Sequence, residues 1–161
     1  MPVSLRFATA YGAAPRPRFD LTVNEFTREL TLGRRLEVYG EQFWRPYTHV
    51  YDLARAVVLA LEAPAEKVAY DVFNVGDTRE NYQKKTLVEL IQQIVPVQGD
   101  VVYVHKDEDP RDYRVSFEKI RRVLGYHVTR RVPDGIREIY ELIRTGFLSN
   151  PDDPRYRNVP V

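Results

Sequence analysis

Arg45 is the residue whose side chain is best suited to ligand chemistry, and it lies in the aromatic-rich segment 41–49 (EQFWRPYTH). A guanidinium group presents a planar fork of N–H donors that matches two oxygens of one phosphate group. Arg45 therefore predicts an anion site. The alternative is a surface arginine that stacks on the ring of Trp44 or Tyr47.

Charged residues are concentrated again in the segment 105–114 (HKDEDPRDYR). Arg111 and Asp112 are the candidates for ligand contact there, and Lys106 and Asp109 compete with them for the same role. A solvated turn would explain the same run of charges.

The start of a predicted helix offers a third place for a ligand. Leu21, Thr22, Val23 and Asn24 open this helix, and the first N–H groups of a helix are free to receive an anion or a carbonyl oxygen. Thr22 and Asn24 could add hydrogen bonds from their side chains. The alternative is that these residues cap the helix and pack in the core.

Composition excludes several classes of protein. The 161 residues include no cysteine, and 24 Lys and Arg balance 23 Asp and Glu, so disulfides, thiolate metal sites, nucleic acid and anionic membranes are not expected. The three histidines lie far apart, and His49 is interpreted as structural. No apolar run reaches the roughly 18 residues of a membrane span, so we expect a soluble, cytoplasmic protein.

These candidates need a scaffold that brings distant segments together. Short apolar runs predict strands, and apolar residues three and four apart, ended by Gly or Pro, predict helices. Strands are predicted at 3–8, 36–39, 70–75 and 101–104, a loop or edge strand at 41–49, and helices at 21–32, 50–63, 87–94, 117–124 and 133–146. The pattern indicates an α/β domain over 1–146 with about four strands and about four helices. The tail, 147–161, is predicted to be irregular, or disordered without a partner.

Four segments resemble the extended short-chain dehydrogenase/reductase family, in the group of NAD-dependent epimerases and dehydratases that act on nucleotide sugars. They are LRFATAYG at 5–12, RPYTHV at 45–50 with DLA at 52–54, FNVG at 73–76, and DPRDYRVS at 109–116 with the following KI and LGY. The resemblance is to relatives of UDP-glucose 4-epimerase and dTDP-glucose 4,6-dehydratase. It implies a Rossmann-like fold, of which this chain would be the C-terminal, substrate-binding part with a small mixed sheet.

The resemblance also implies which residues contact the ligand. Arg45 would bind the diphosphate of a nucleotide sugar, and Arg111 with Asp112 would lie over the diphosphate and ribose. Glu37 and Tyr39 would line the base pocket, and Thr9 stands where many relatives have Asn, so its contact with substrate would be weaker. The residues implied as substrate-binding are Thr9, Thr22, Val23, Asn24, Glu37, Tyr39, Arg45, Arg111 and Asp112.

The redox residues of the family are missing from this sequence. The eight glycines include no G-x-x-G-x-x-G, the turn that holds NAD, and no Tyr is followed four positions later by the Lys of the catalytic pair. We therefore expect NAD in a complete enzyme but neither cofactor binding nor catalysis by this chain alone. Without the cofactor half, strand 3–8 and the apolar helix 50–63 would expose a patch that favours self-association. The alternative hypothesis is a stand-alone interaction or assembly module that kept the fold.

Overall fold

The computed structural model describes residues 2–96, 99–110 and 112–158 of the 161-residue chain. Within them the strands are β1 (Ser4–Phe7), β2 (Thr9–Tyr11), β3 (Leu36–Tyr39), β4 (Trp44–His49), β5 (Val72–Val75), β6 (Asn81–Gln83) and β7 (Val101–Val104). The helices are α1 (Thr22–Thr31), α2 (Val50–Glu62), α3 (Ala65–Val68), α4 (Lys84–Ile94), α5 (Glu118–Leu124) and α6 (Val132–Arg144). One-turn 3-10 helices occupy Thr78–Glu80 and Pro154–Tyr156. None of the described helices is long and apolar enough to cross a membrane.

The strands pair mainly in parallel, as the predicted α/β class requires. β1 pairs with β5, β2 pairs with β4, and β3 pairs with β7, all in parallel, while β6 runs antiparallel to β4. Each parallel pair is joined by a long connection that contains helices. The α/β prediction is confirmed, and the mixed sheet agrees with it.

Two predicted strands differ in detail from the structure. The run 3–8 continues as two strands, because the chain changes partner after Ala8, whose N–H still donates to the Val75 carbonyl at 3.1 Å, whereas Thr9 is in register with Tyr47. The segment 41–49 contains an inner strand, since β4 lies between β2 and β6. The structure has six helices within the described residues, more than the expected four or so, because each of the five predicted helical segments forms a helix and α3 adds a single turn.

The apolar residues form two buried clusters. In one cluster α1, α4 and α6 pack together through residues such as Val23, Leu30, Leu87 and Ile136. In the other, α2 and α5 pack on the β1–β5 pair; its members include Leu53, Ala56, Phe73, Val75 and Ile120. The helices in each cluster follow the three-and-four spacing of apolar residues, which gives each helix one apolar face.

Helix α2 is covered on one side only. Leu53 and Ala56 pack on the β1–β5 pair, whereas Tyr51, Val57, Val58 and Leu61 are exposed. Phe7 of β1 is also half exposed. The exposed apolar patch that the sequence predicts for this chain alone is therefore present in the structure.

Candidate functional site

Arg45 is the centre of the candidate site. Strand β4 places it inside the fold, where the residue is only 8% exposed. Its Nη2 donates to Asp109 Oδ2 at 2.8 Å, and its Nη1 donates to the Trp44 carbonyl at 2.8 Å. The guanidinium also faces the ring of Tyr113, 5.7 Å from the ring centroid. Arg45 is therefore a nearly buried cation held in one orientation, not a surface residue stacked on Trp44 or Tyr47.

The charged segment 105–114 lies against the start of β4. Asp112 Oδ1 accepts a hydrogen bond from the Trp44 N–H at 2.7 Å, and the Tyr113 N–H donates to the Trp44 carbonyl at 3.4 Å. Arg111 falls outside the described residues. Among the acidic candidates, Asp109 pairs with the Arg45 side chain, whereas Asp112 holds the backbone of β4.

The start of α1 is linked to this cation through Tyr47 of β4. No side chain caps the helix at Leu21. Burial raises the pKa of Tyr47 to about 12, and the neighbouring Thr22 side chain and Arg45 charge oppose that rise. Thr22, Tyr47 and Arg45 are therefore close enough to influence one another, so the start of α1 and strand β4 converge.

The other two candidates in α1 serve the fold as well. The Asn24 side chain is buried; its Oδ1 accepts from the Gly12 N–H at 2.9 Å, and its Nδ2 donates to the Gly12 carbonyl at 3.3 Å. Val23 is fully buried in the core. Both residues therefore offer a ligand only their backbone groups, as capping and packing residues would.

Strand β2 contributes Thr9 to the same face of the sheet. Thr9 is in register with Tyr47, and side chains two positions apart on a strand share a face, so Thr9, Tyr47 and Arg45 lie on one side. Thr9 is partly exposed. Its hydroxyl is therefore placed toward the region that Arg45 occupies.

Glu37 and Tyr39 form a second, exposed part of the candidate set on β3. The Tyr39 hydroxyl donates to Glu37 Oε2 at 2.8 Å, which raises the pKa of Tyr39. Lys106 Nζ stands 5.3 Å from the centroid of the Tyr39 ring. The segment 105–114 therefore links Tyr39, through Lys106, with Arg45, through Asp109.

Two small cavities lie near the candidate residues. One cavity of 190 Å³ adjoins Arg45 through Tyr113 and Pro46, and Arg6, Phe7, Asn74 and Phe117 also line it. Another, of 140 Å³, lies between the loop 13–20 and the start of α2; Leu21 and Val50 are among its lining residues. Both cavities border the ends of β1 and β2, where parallel strands commonly present ligand sites.

His49 has a partner that is remote in sequence. Its Nε2 lies 2.7 Å from Glu138 Oε2, and its Nδ1 accepts from the Tyr51 N–H at 3.1 Å, so the proton of the neutral ring is on Nε2. Glu138 also accepts from the Ala13 N–H at 3.2 Å. With both ring nitrogens engaged, His49 braces the turn after β2. The partner is 89 positions away, and nothing in the local sequence identifies it.

Comparison with known proteins agrees with this architecture. Residues 1–76 match the sequence model of the NAD dependent epimerase/dehydratase family. The UDP-glucose 4-epimerase of Bacillus subtilis is 28% identical over 146 residues, which cover 78% of this chain and 42% of that enzyme. The UDP-glucose 4-epimerase of Corynebacterium glutamicum is 34% identical over 84 residues, or 51% of this chain and 25% of that enzyme.

Solved structures show the same fold. The UDP-glucose 4-epimerase of Thermotoga maritima, crystallised with UDP-glucose, superposes with a TM-score of 0.75 at 25% identity, over 89% of this chain and 46% of that one. The UDP-glucuronic acid 4-epimerase of Bacillus cereus, in complex with UDP-glucuronic acid and NAD, gives 0.75 at 23% identity over 89% and 45%, a likeness of fold alone. The chain thus spans less than half the length of these relatives. Residues 1–76 therefore resemble the NAD-dependent epimerase/dehydratase family, and the chain has part of the Rossmann-like fold of these relatives.

Proposed function

We propose that this chain is the nucleotide-sugar-binding part of an NAD-dependent epimerase or dehydratase. The observation that carries the proposal is the nearly buried Arg45 guanidinium, which lies on the same strand as Tyr47, a residue influenced by both Arg45 and Thr22 at the uncapped start of α1. A desolvated, oriented guanidinium and free helix N–H groups are two donors suited to one diphosphate.

The rest of the candidate set gives the ligand its orientation. UDP-glucose and UDP-glucuronic acid are bound in the structures of relatives, and we propose a UDP-sugar here. Arg45 binds the diphosphate, Asp109 or Asp112 accepts from the ribose, and Tyr39 stacks on the base with Glu37 beside it. Lys106 and Arg111 add positive charge, and Thr9 contacts the sugar. Holding the sugar at a fixed place and angle is the contribution of such residues to catalysis.

Gly12 and Gly76, which follow β2 and β5, do not form a cradle for the pyrophosphate of NAD, although structures of relatives contain this cofactor. A Cβ added at Gly12 would lie 2.1 Å from the His49 ring, and one at Gly76 would lie 2.7 Å from the Phe117 ring. The space beside both glycines is therefore filled by the protein's own side chains, not left as a cradle for phosphate. We propose that residues outside this chain hold NAD and that the chain alone does not turn over.

Calorimetry with UDP-glucose tests the binding proposal. The unaltered chain should bind, and Arg45→Ala should weaken binding about tenfold or more, because a charge-assisted bidentate contact is lost. Arg45→Lys should also weaken it, since the charge remains but the fork is gone. Arg144→Ala is the matched control, because Arg144 is an exposed arginine of α6 that pairs with Glu141 of the same helix. Equal affinity in the unaltered chain and both Arg45 variants would contradict the proposal, and epimerisation of UDP-glucose with added NAD would contradict the binding-only role.

A second candidate function is favoured by the exposed apolar face of α2. A chain with this surface suits an interaction or assembly module, because contiguous exposed apolar residues favour association. Under this alternative UDP-glucose would not bind, and the chain would associate through α2.

A further inference from the structure

The C-terminal segment 147–158, which we call the strap, packs along α1 and the loop before it. The buried ring of Phe19 meets Tyr156 edge to face at 5.9 Å, and the Phe19 N–H donates to the Tyr156 carbonyl at 2.8 Å. The side chain of Arg28, almost fully buried, also lies over the Phe19 ring, 5.3 Å from its centroid. Phe19 is therefore clamped between α1 and the strap.

Polar contacts reinforce the clamp on both sides of Phe19. Arg16 Nη2 donates to the Arg157 carbonyl at 3.2 Å and to Asn158 Oδ1 at 2.7 Å. The Asn158 N–H donates to Asp20 Oδ2 at 2.9 Å. Asp20 also accepts two hydrogen bonds from Arg18, and these lower the Asp20 pKa to about 2. The loop 16–20 therefore contacts the strap through Arg16, Phe19 and Asp20.

These contacts end directly at the start of α1. Asp20 is followed by Leu21, the residue that precedes the first helical turn and has no side-chain cap. The same loop forms one wall of the 140 Å³ cavity through Arg16, Pro17 and Arg18. Any movement of the strap would therefore change both the direction of the first free N–H groups and the width of this cavity.

We propose that the strap is a positioning element of the nucleotide-sugar site: it holds Phe19 and Asp20 so that the start of α1 faces the ligand. This inference rests on the proposed function, because it concerns the same site. The strap itself touches no reacting group in this scheme. It acts through the loop 16–20, and its loss reduces the fraction of molecules that are competent to bind.

The structure offers an internal comparison, since the strap has a second anchor. Asp152 pairs with Arg34 at 2.6 Å, beyond the C-terminal end of α1, and lies farther, at 4.0 Å, from Arg28. Helix α1 is ten residues long and therefore roughly 15 Å from end to end. Loss of the Asp152–Arg34 pair should loosen the part of the strap that lies far from the proposed ligand. Loss of the Phe19–Tyr156 contact should loosen the part that lies next to the start of α1.

The experiment measures UDP affinity by calorimetry and amide hydrogen exchange in the full chain. Tyr156→Ala should weaken UDP binding about tenfold, because the loop then spends most of its time in other conformations, and exchange at residues 19–23 should accelerate. Asp152→Asn should leave the UDP affinity and the exchange rates at residues 19–23 near those of the unaltered chain. Arg16→Ala is a second variant, for use if Tyr156→Ala does not fold by circular dichroism, and the same weakening is expected.

Several results would overturn the proposal. Unchanged UDP affinity in Tyr156→Ala, with or without faster exchange, would show that the strap does not position the site. Equal weakening by Asp152→Asn would show a general loss of stability instead of local positioning. If the unaltered chain does not bind UDP, the proposed function fails, and the positioning role fails with it. This outcome is distinguishable because it is seen without any substitution.

Discussion

At the scale of single residues, buried charges find partners that are far away in the sequence. Asp52 is fully buried; its carboxylate accepts from the Thr129 N–H and hydroxyl and from the Arg130 N–H. Glu80 is also buried; among the described residues its carboxylate accepts from the Val132 N–H at 3.1 Å and the Tyr82 hydroxyl at 3.3 Å. The two carboxylates are therefore compensated to different extents.

The difference predicts opposite effects of amide substitution. Burial raises the Glu80 pKa above its ordinary value of 4.5, despite these hydrogen bonds. The folded state then binds a proton more readily than the unfolded state, so Glu80 reduces stability as pH rises above about 4.5 through the folded pKa. Glu80→Gln should therefore raise the Tm relative to the unaltered chain, and by more at pH 7.5 than at pH 5.

Asp52 serves as the matched comparison. Burial alone would raise its pKa, but the hydrogen bonds from Arg130, Thr129 and Arg55 outweigh burial and lower it. Its stabilising contribution is present above about pH 4 and is lost as pH falls through the folded pKa. Asp52→Asn should lower the Tm at both pH 5 and pH 7.5. Thermal unfolding followed by circular dichroism measures both variants, and a Glu80→Gln effect that does not change with pH would contradict the assignment.

At the scale of elements, the turn after β2 connects three parts of the fold. Gly12 has a φ of 101°, and Asn24 of α1 and His49 of β4 contact it from different sides. Glu138 of α6 holds the next residue, Ala13. This turn therefore requires glycine both for its backbone angle and for its lack of a side chain.

Gly12→Ala should destabilise the chain by about 3 kcal/mol, the sum of overpacking against His49 and strain at positive φ. Gly125→Ala is the control, because Gly125 also has a positive φ of 64° but nothing lies within 4 Å of an added Cβ. Its expected cost is about 1 kcal/mol. Urea unfolding gives both free energies. Equal losses in the two variants would mean that His49 does not restrict the turn.

At the scale of the whole molecule, the chain has an apolar surface that its own elements leave open. Tyr51, Val57, Val58 and Leu61 of α2 are exposed, and Leu61 is 78% exposed. Strand β1, which pairs with β5, also carries the half-exposed Phe7. Burial of such a surface is favourable by about 25 cal/mol per Å².

We expect the isolated chain to self-associate through α2. Leu61→Glu should shift the chain toward the monomer, because a carboxylate at the interface would have to lose its hydration. Light scattering over a concentration series measures the shift. Arg121→Glu, which reverses an exposed charge on α5, is the control. A monodisperse monomer of the unaltered chain at high concentration would rule this association out.

Much of the fold is predictable because it depends on local periodicity. The helices α1, α2, α4 and α6 and the strands β3, β5 and β7 follow the predicted runs of apolar residues closely. The division of the first strand into β1 and β2 is not predictable in this way. It depends on which strand lies beside Ala8 and which beside Thr9, and that is a property of the sheet.

Some features of the candidate site can likewise be predicted from the sequence, and others cannot. Arg45, Thr22 and the charged segment 105–114 can be identified from residue type, spacing and family resemblance. The choice of Asp109 as the partner of Arg45, 64 positions away, cannot, because the register of a loop against a strand is set by packing. The roles of Asn24 and Glu138 in bracing the turn after β2 are hidden for the same reason.

By itself, therefore, the sequence determined the α/β class, the family resemblance and the choice of Arg45 as the candidate cation, since each depends on residue types at short spacing. Only the tertiary structure decided which charges are buried together, that one face of α2 stays uncovered, and that the strap packs on α1. The physical reason is that burial and pairing depend on contacts between residues tens of positions apart. Local patterns of apolar and charged residues restrict those contacts but do not select among them.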